Sequence, residues 1–401
     1  MKVLVVSSFL PYPLFSGGHV RLYSILKELY NKGYELTLTC EKRSYQTDSD
    51  IKEMEKICKK VVAVSRQKQW SVKNILQSGF SSYPFLLIGH TQKEFQQEIK
   101  NILSKEKFDL IHIETFYVMQ NLPAISTPTV LVEHNIEYLV YQRYVQNVSV
   151  LLRPLLMLDI LKMKYWEKYF WKKATKLVAV SDEEKKLMSR DDVMVVPNGV
   201  DLQRFKINDL RFKNKKENTI LFIGDFKWMQ NRDAVEWILK EIWPMINLKL
   251  KTKNLKLKLW IVGRKIPESI KKLTNDSDVI FDENAPKETS EIFNKADLLL
   301  APIRIGGGTS FKILEAMASG VPVVTTSLGI EGINAENNKE TIIANTTENI
   351  ANDVVSLLEN SEKYQMIVKN ARALIEEKYD WKKIVKKLEA VYGSAVGDKH
   401  D

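Results

Sequence analysis

Cysteine is nearly absent: Cys40 and Cys58 are the only two in 401 residues. Two cysteines staple little in a chain of this length, so a reducing, cytoplasmic setting is expected over a disulfide-framed one. Cys40 ends a strand-like run and Cys58 closes the helical "EKICKK", so both read as inert. Histidine is scarce, at five, and no pair has metal-ligand spacing. His90, His112 and His400 have no suggestive partners in the sequence. No apolar run is long enough to span a bilayer. The opening "MKVLVVSSFL" is too short in apolar residues for a signal peptide and reads as a buried first strand. Two nucleotide signatures are also missing. Without G-x-G-x-x-G a nicotinamide or flavin role loses support, and without G-x-x-x-x-G-K-[ST] a Walker P-loop is excluded.

What is abundant is positive charge, a formal net +10. Such a balance fits nucleic acid, an anionic membrane surface or an anionic substrate. Much of it is lysine scattered over stretches such as "INLKLKTKNLKLKL" (246–259), which reads as a solvated face. No zinc-finger, RNA-recognition or helix-turn-helix pattern accompanies it, so no nucleic-acid partner is expected.

Short β-branched runs alternate with amphipathic stretches. "VLVVSSF" (3–9), "ELTLTC" (35–40), "KVVAV" (60–64), "DLIHIET" (109–115), "TVLVEHN" (129–135) and "KLVAVS" (176–181) read as strands. A second series follows: "ILFIGD" (220–225), "LWIVGR" (259–264), "VIFD" (279–282), "DLLLAPI" (297–303) and "VPVVTT" (321–326). Helices are predicted over 18–34, 231–243, 311–318 and 381–392 from their apolar spacing. Apolar strands between helices predict an α/β fold with two parallel sheets covered on both faces. The expected domains are 1–196 and 197–378, joined by a hinge near 197–215. Ligands bind at the carboxyl ends of such strands, so the residues following each strand are the candidates.

After the first strand, Gly17 and Gly18 precede a helix, either as an anion-approach loop or as an ordinary turn. His134 ends the fifth strand, where it can bond a ligand hydroxyl or serve the structure alone. Lys227 and Arg232 follow "ILFIG" as phosphate cations or as plain surface charge. "IRIGGGTSFKILEAMASGVPVVTT" (303–326) carries the densest signal. Arg304 sits at a strand end, Gly306, Gly307 and Gly308 give a turn, and Thr309 or Ser310 can cap the helix. Lys312 and Glu315, three apart, share a helical face with Ser319 one turn on. A helix start beside Arg304 and Lys312 suits a diphosphate, and a carboxylate one turn further suits a vicinal diol. Together these describe the ribose diphosphate of a nucleotide. A glycine-rich turn with an i,i+3 salt pair is the bland alternative.

The Gly-Gly loop, "EHN", "VAVSDEEKKLM", "VPNGVD", "LWIVGR", the 297–326 run and "YDWKKIVKKLEAVY" resemble, in that order, glycosyltransferase family 4. The likeness spans nearly the whole chain, and "GGGTxxKxLEAMAxGxPVV" looks like a subgroup of bacterial sugar transferases. The resemblance implies a GT-B fold, with two Rossmann-like domains facing across a cleft and the 379–401 helix crossing back to the first. It implies a hexosyl-type glycosyltransferase that uses a nucleotide-diphosphate sugar with retention, in cell-surface polysaccharide or glycoconjugate synthesis. The acceptor would be a glycan, a lipid-linked carrier or a small molecule.

Glu315 matches the second glutamate of the family's E-x7-E motif, the ribose ligand. The first falls on Gly307, so sugar contacts are expected from backbone amides of Gly307 to Ser310. The family's arginine and lysine six apart fall on Asp225 and Asn231. The phosphate cations are therefore expected to be Lys312 and Arg304, with Lys227 or Arg232 helping. His134 matches the cleft histidine near the sugar, and Gly17 and Gly18 match the loop near phosphate and acceptor. No cofactor and no metal are expected if these charges suffice, and no Asp-x-Asp motif is read as a metal site. Residues 151–173, "LLRPLLMLDILKMKYWEKYFWKK", either lie on the inner face of a membrane or pack the first domain's own core. Rival functions are another GT-B enzyme such as a nucleotide-sugar epimerase, or a basic nucleic-acid-binding protein.

Overall fold

The computed structural model describes residues 1–146, 148–207, 217–250, 256–286, 288–306 and 308–397. Position 307 and most of the 197–215 hinge's polar stretch (208–216) lie outside these residues. The chain forms two compact units: Met1–Pro197 together with the chain from Ile384 onward, and Asn198–Lys383.

The first unit holds seven parallel strands: β1 (Lys2–Ser7), β2 (Glu35–Lys42), β3 (Lys60–Ser65), β4 (Leu110–Glu114), β5 (Thr129–Val132), β6 (Lys176–Ala179) and β7 (Met194–Val195). They pair in the order β3-β2-β1-β4-β5-β6-β7. Val3 to Val6 of β1 are buried on both faces, as a sheet covered by helices on both sides demands. The helix Gly17–Asn31 buries Leu22, Ile25, Leu26 and Leu29 and stops before Gly33, whose φ is +84°. Each such apolar side chain contributes about 1.5–3 kcal/mol on burial. Cys40 and Cys58 are buried thiols, and burial pushes Cys58 up to about 12, so both are inert.

The second unit holds β8 (Glu217–Ile223), β9 (Lys256–Val262), β10 (Val279–Asp282), β11 (Leu298–Ala301), β12 (Val323–Thr325) and β13 (Ile342–Ile343), ordered β10-β9-β8-β11-β12-β13 and all parallel. The predicted 231–243 helix is instead Met229–Trp237, a π turn Ile238–Ile242 and a further helix Trp243–Leu250. Pro244 is the cause. It has no N–H and its ring crowds the carbonyl four residues back, which the wider turn absorbs. In both sheets the chain reverses its direction of travel once: between β1 and β4, and between β8 and β11. These are the topological switch points at whose carboxyl ends ligands bind.

Candidate functional site

In the second unit, the β11 end and the β8 end meet around one side chain. Lys312 lies in the first turn of the helix Phe311–Ala318, which follows β11. Its Nζ donates to Asn231 Oδ1 at 2.9 Å and sits 4.7 Å from the ring centre of Phe222 on β8. Asn231 in turn donates from Nδ2 to the Asp225 carbonyl at 2.9 Å. Gly224 leaves room for this amide: a Cβ there would meet Asn231 Cγ at 2.6 Å. Protein surrounds Lys312 on most sides, and burial pushes its ammonium down to about 7.

Glu315, one turn on, does not close a salt pair with Lys312. Burial pushes its carboxyl up to about 7, against the pull of the Arg204 charge and a hydrogen bond from Thr289. Arg204 is held 2.8 Å from Glu288 and lies over the Phe205 ring. Lysine and glutamate thus diverge along one helix face, each with its own surroundings. Ser319, on the same face, is buried with its hydroxyl unpartnered among the described residues.

The turn before this helix needs glycine at position 308, where φ is +83°. Ser310 occupies the N-cap position, but its hydroxyl makes no capping bond, and Thr309 donates instead to the Gly332 carbonyl at 3.5 Å. The expectation that one of these hydroxyls caps the helix is corrected. Among the described residues no side-chain oxygen caps the first turn, so its amides remain suited to an anion. Gly307 lies outside the described residues.

The other expected cations are placed differently. Arg304 donates to both Asp233 oxygens, at 2.9 and 3.2 Å, and stacks 4.4 Å over Trp237. Its charge is matched by a carboxylate in place of a phosphate. Arg232 folds back on the carbonyls of Phe226 and Lys227, and Lys227 lies exposed over Trp228. Arg264, which sequence reasoning passed over, ion-pairs with Asp225 at 2.7 Å. Of the expected cations, the structure brings only Lys312 to the Glu315 face. Arg204 and Thr289 went unrecognised because they come from other elements, with no spacing that links them to residues 303–326, and Asn231 was noted only as a place where the family's cation is missing.

In the first unit, the switch point holds a relay. Glu114, at the end of β4, is fully buried. Its Oε1 meets His134 Nε2 at 2.5 Å and its Oε2 meets His112 Nε2 at 2.7 Å. His112 Nδ1 meets the Tyr392 hydroxyl at 2.6 Å. Burial alone would raise the Glu114 carboxyl, but the His134 charge and bonds from both imidazoles hold it below the carboxylate range. A carboxylate only accepts, so both Nε2 atoms donate, His112 Nδ1 and the Tyr392 hydroxyl share a hydrogen bond, and His134 keeps Nδ1 as its second polar atom. That nitrogen faces the Gly-Gly turn, 3.4 Å from where a Gly18 Cβ would stand. Gly18 and His134, expected separately, therefore adjoin; Gly17 opens the same helix.

Thr115, directly after Glu114, has φ +67°, a strained setting for a β-branched residue of the kind that gathers at functional sites. The reading of His112 as partnerless is corrected, and so is that of His90, which bonds Glu41 at 2.8 Å and Arg66 at 2.9 Å. Glu114 is two places along the same strand, but Tyr392, Glu41 and Arg66 are distant in sequence from the histidines they bond. His400 lies outside the described residues. Glu133, next to His134, is structural and accepts from Trp171 and the Phe116 amide.

Two Asp-Ser-Asp sequences do occur, at 48–50 and 276–278. Asp50 is held by the Thr47 amide, and Asp276 by Trp243 and Asn247. Among the described residues no group of three or more His, Cys, Asp or Glu could hold a metal ion.

Residues 15–204 match the family model described as Glycosyltransferase Family 4, and residues 217–360 match that described as Glycosyl transferases group 1. The chain belongs to glycosyltransferase family 4. The glycosyltransferase is 25% identical over 399 residues to a Klebsiella pneumoniae protein described as an uncharacterized 44.6 kDa protein in the cps region, covering 96% of this chain and 97% of that one. Its fold matches sucrose-phosphate synthase from Thermosynechococcus elongatus with a TM-score of 0.73 at 14% identity, over 99% of this chain and 100% of the other. It also matches Anabaena Alr3699/HepE in complex with UDP and glucose, with a TM-score of 0.65 at 15% identity, over 98% and 100% of the chains. The glycosyltransferase therefore has the GT-B fold.

Proposed function

We propose that this glycosyltransferase moves a hexosyl-type sugar from a nucleoside-diphosphate sugar to a glycan, lipid-linked or small-molecule acceptor. Transfer proceeds with retention, in cell-surface polysaccharide or glycoconjugate synthesis. The carrying observation is the divergence of Lys312 and Glu315 on one helix face at the β8/β11 switch point. One supplies a cation beside open helix amides, and the other a carboxylate one turn away. This is the charge pattern of a diphosphate joined to a ribose diol. The Anabaena neighbour described with UDP and glucose supports the donor class.

In this reading Glu315 accepts from the ribose hydroxyls. Lys312 and the amides at 308–311 stabilise the diphosphate as the bond from anomeric carbon to phosphate oxygen breaks. The electron pair leaves with the diphosphate. The acceptor hydroxyl attacks the same face of the sugar and gives its proton to the departing phosphate oxygen. His134, oriented by Glu114, offers Nδ1 to a ligand hydroxyl at the first unit's own switch point. The residues supply this charge without a metal or cofactor. Arg304 steadies the strand end through Asp233, and Lys227 and Arg232 shape the 225–232 loop.

The test is a panel of nucleoside-diphosphate sugars assayed for nucleoside diphosphate release, with the product's anomeric configuration read by NMR. One donor class is expected to turn over with retention, and Glu315→Ala is expected to lose most of that turnover. Turnover of no donor, or an inverted product, would refute the reading.

A further inference from the structure

The helix Arg153–Lys173 divides its surface along its length. Met163, Phe170 and Trp171 pack into the first unit's core, while Leu151, Leu155 and Leu158 stand exposed at its amino end, Leu151 at 90%. The core-packing reading of this stretch holds for part of its surface, and the rest leaves large apolar side chains uncovered. A second segment adjoins it. The helix Val72–Phe80 buries only Asn74 and exposes Ile75 and Phe80, the latter at 94%, with Trp70 exposed just before it. Lys162 stitches the two together by donating to the Ser78 and Ser81 carbonyls at 2.7 and 2.8 Å, and Trp166 donates to the Ser82 carbonyl at 2.9 Å. Isolated apolar residues on a surface are ordinary, but two adjoining helices that expose large apolar side chains mark an interaction face.

Charge selects the occupant. Residues 66–82 and 150–173 together carry nine lysines and arginines against two acids, Asp159 and Glu167. Both acids turn inward: Asp159 accepts from the Phe85 amide, and Glu167 from the amides of Glu137 and Tyr138. Lys68, Lys73 and Lys164 stand exposed on these two segments, Lys164 with its Nζ 5.4 Å from the ring centre of Tyr138. A protein partner would need its own acidic, apolar counterpart. An anionic bilayer supplies both features at once, with apolar side chains entering the headgroup region and lysines meeting lipid phosphates. No helix among the described residues is long and apolar enough to cross a membrane, so any contact by these helices is peripheral.

We propose that the paired helices Val72–Phe80 and Arg153–Lys173 dock the first unit onto an anionic lipid surface. The inference stands apart from the donor assignment, because lipid binding is read without turnover. The experiment is sedimentation of the full chain with two vesicle types: phosphatidylcholine alone, and phosphatidylcholine with about one-third phosphatidylglycerol. Co-sedimentation is expected with the anionic vesicles, at least about tenfold above the neutral ones, and is expected to fall with added salt. The double variant Leu158→Glu/Phe80→Glu changes exposed residues only; it is expected to keep the wild-type melting temperature and lose binding. Lys73→Glu with Lys164→Glu is expected to lose the anionic preference. Absence of binding to either vesicle would overturn the proposal, as would undiminished binding by the apolar double variant. A wild-type dimer in light scattering that the apolar variant dissolves, without vesicle binding, would also overturn it and assign the face to a second copy of this chain.

Discussion

Lys312 Nζ donates to Asn231 Oδ1 across 2.9 Å in space and 81 positions in sequence. The bond ties the helix after β11 to the helix after β8 and fixes the ammonium at the switch point. Removing it tests whether position matters as well as charge. In Asn231→Ala the lysine remains, but the buried amide that orients it is lost. Nucleoside diphosphate affinity is expected to fall about tenfold, and unfolding free energy by about 1–3 kcal/mol. Calorimetry and denaturant unfolding measure the two effects; unchanged affinity would mean that Lys312 does not act from this position.

Donor binding is expected to be linked to protons. Lys312 and Glu315 are both brought to about 7, from opposite directions and by burial. A bound diphosphate favours the charged lysine and raises its value. A bound diol favours the ionised carboxylate and lowers Glu315. Binding should therefore take up a proton above about pH 7, where free Lys312 is neutral, and release one below it, where free Glu315 is protonated. Affinity peaks near that pH. Titration in two buffers of different ionisation enthalpy measures the sign, and a proton count that does not reverse across this range would contradict the pairing.

Arg304 separates the structural account from the reading of sequence alone. Sequence placed it on the phosphate, whereas the structure gives it to Asp233 and Trp237. Arg304→Ala is therefore expected to change nucleoside diphosphate affinity less than about threefold while lowering the melting temperature by a few degrees. A loss of affinity as large as that of Lys312→Ala would restore the arginine to the phosphate site.

Glu114 is a positioning residue for His134. Glu114→Gln keeps the shape but substitutes an amide that meets two imidazoles with only one acceptor oxygen. kcat is expected to fall about tenfold to hundredfold with KM little changed, and the pH–rate profile is expected to move. Gly18→Val tests the same imidazole from its other side, since a Cβ there already stands 3.4 Å from Nδ1. A merely structural glutamate would change melting temperature without moving the pH profile.

The fold was legible because its signal is local. Apolar runs such as "KVLVVS" and the 3.6-residue spacing of Leu22, Ile25, Leu26 and Leu29 declare strand and helix without reference to the rest of the chain. Strand β13 escaped notice because two residues, Ile342 and Ile343, carry no period. At the site, Lys312 and Glu315 were legible because they share one helix. The partners that set their properties were not. Asn231, Arg204 and Thr289 are ordinary polar residues until the sheet order brings them to residue 312 or 315. The Glu114 relay was hidden the same way: Tyr392 lies 280 positions from His112.

The most direct test compares two ligands on two variants by titration calorimetry. The ligands are inorganic pyrophosphate and the nucleoside diphosphate of whichever base the wild type prefers. Lys312→Ala is expected to weaken both by roughly tenfold to a hundredfold, the worth of a charged hydrogen bond. Glu315→Ala is expected to weaken only the nucleoside diphosphate, because pyrophosphate has no ribose. Equal weakening of both ligands by Glu315→Ala, or wild-type affinity in Lys312→Ala, would contradict the division of this helix face between diphosphate and diol.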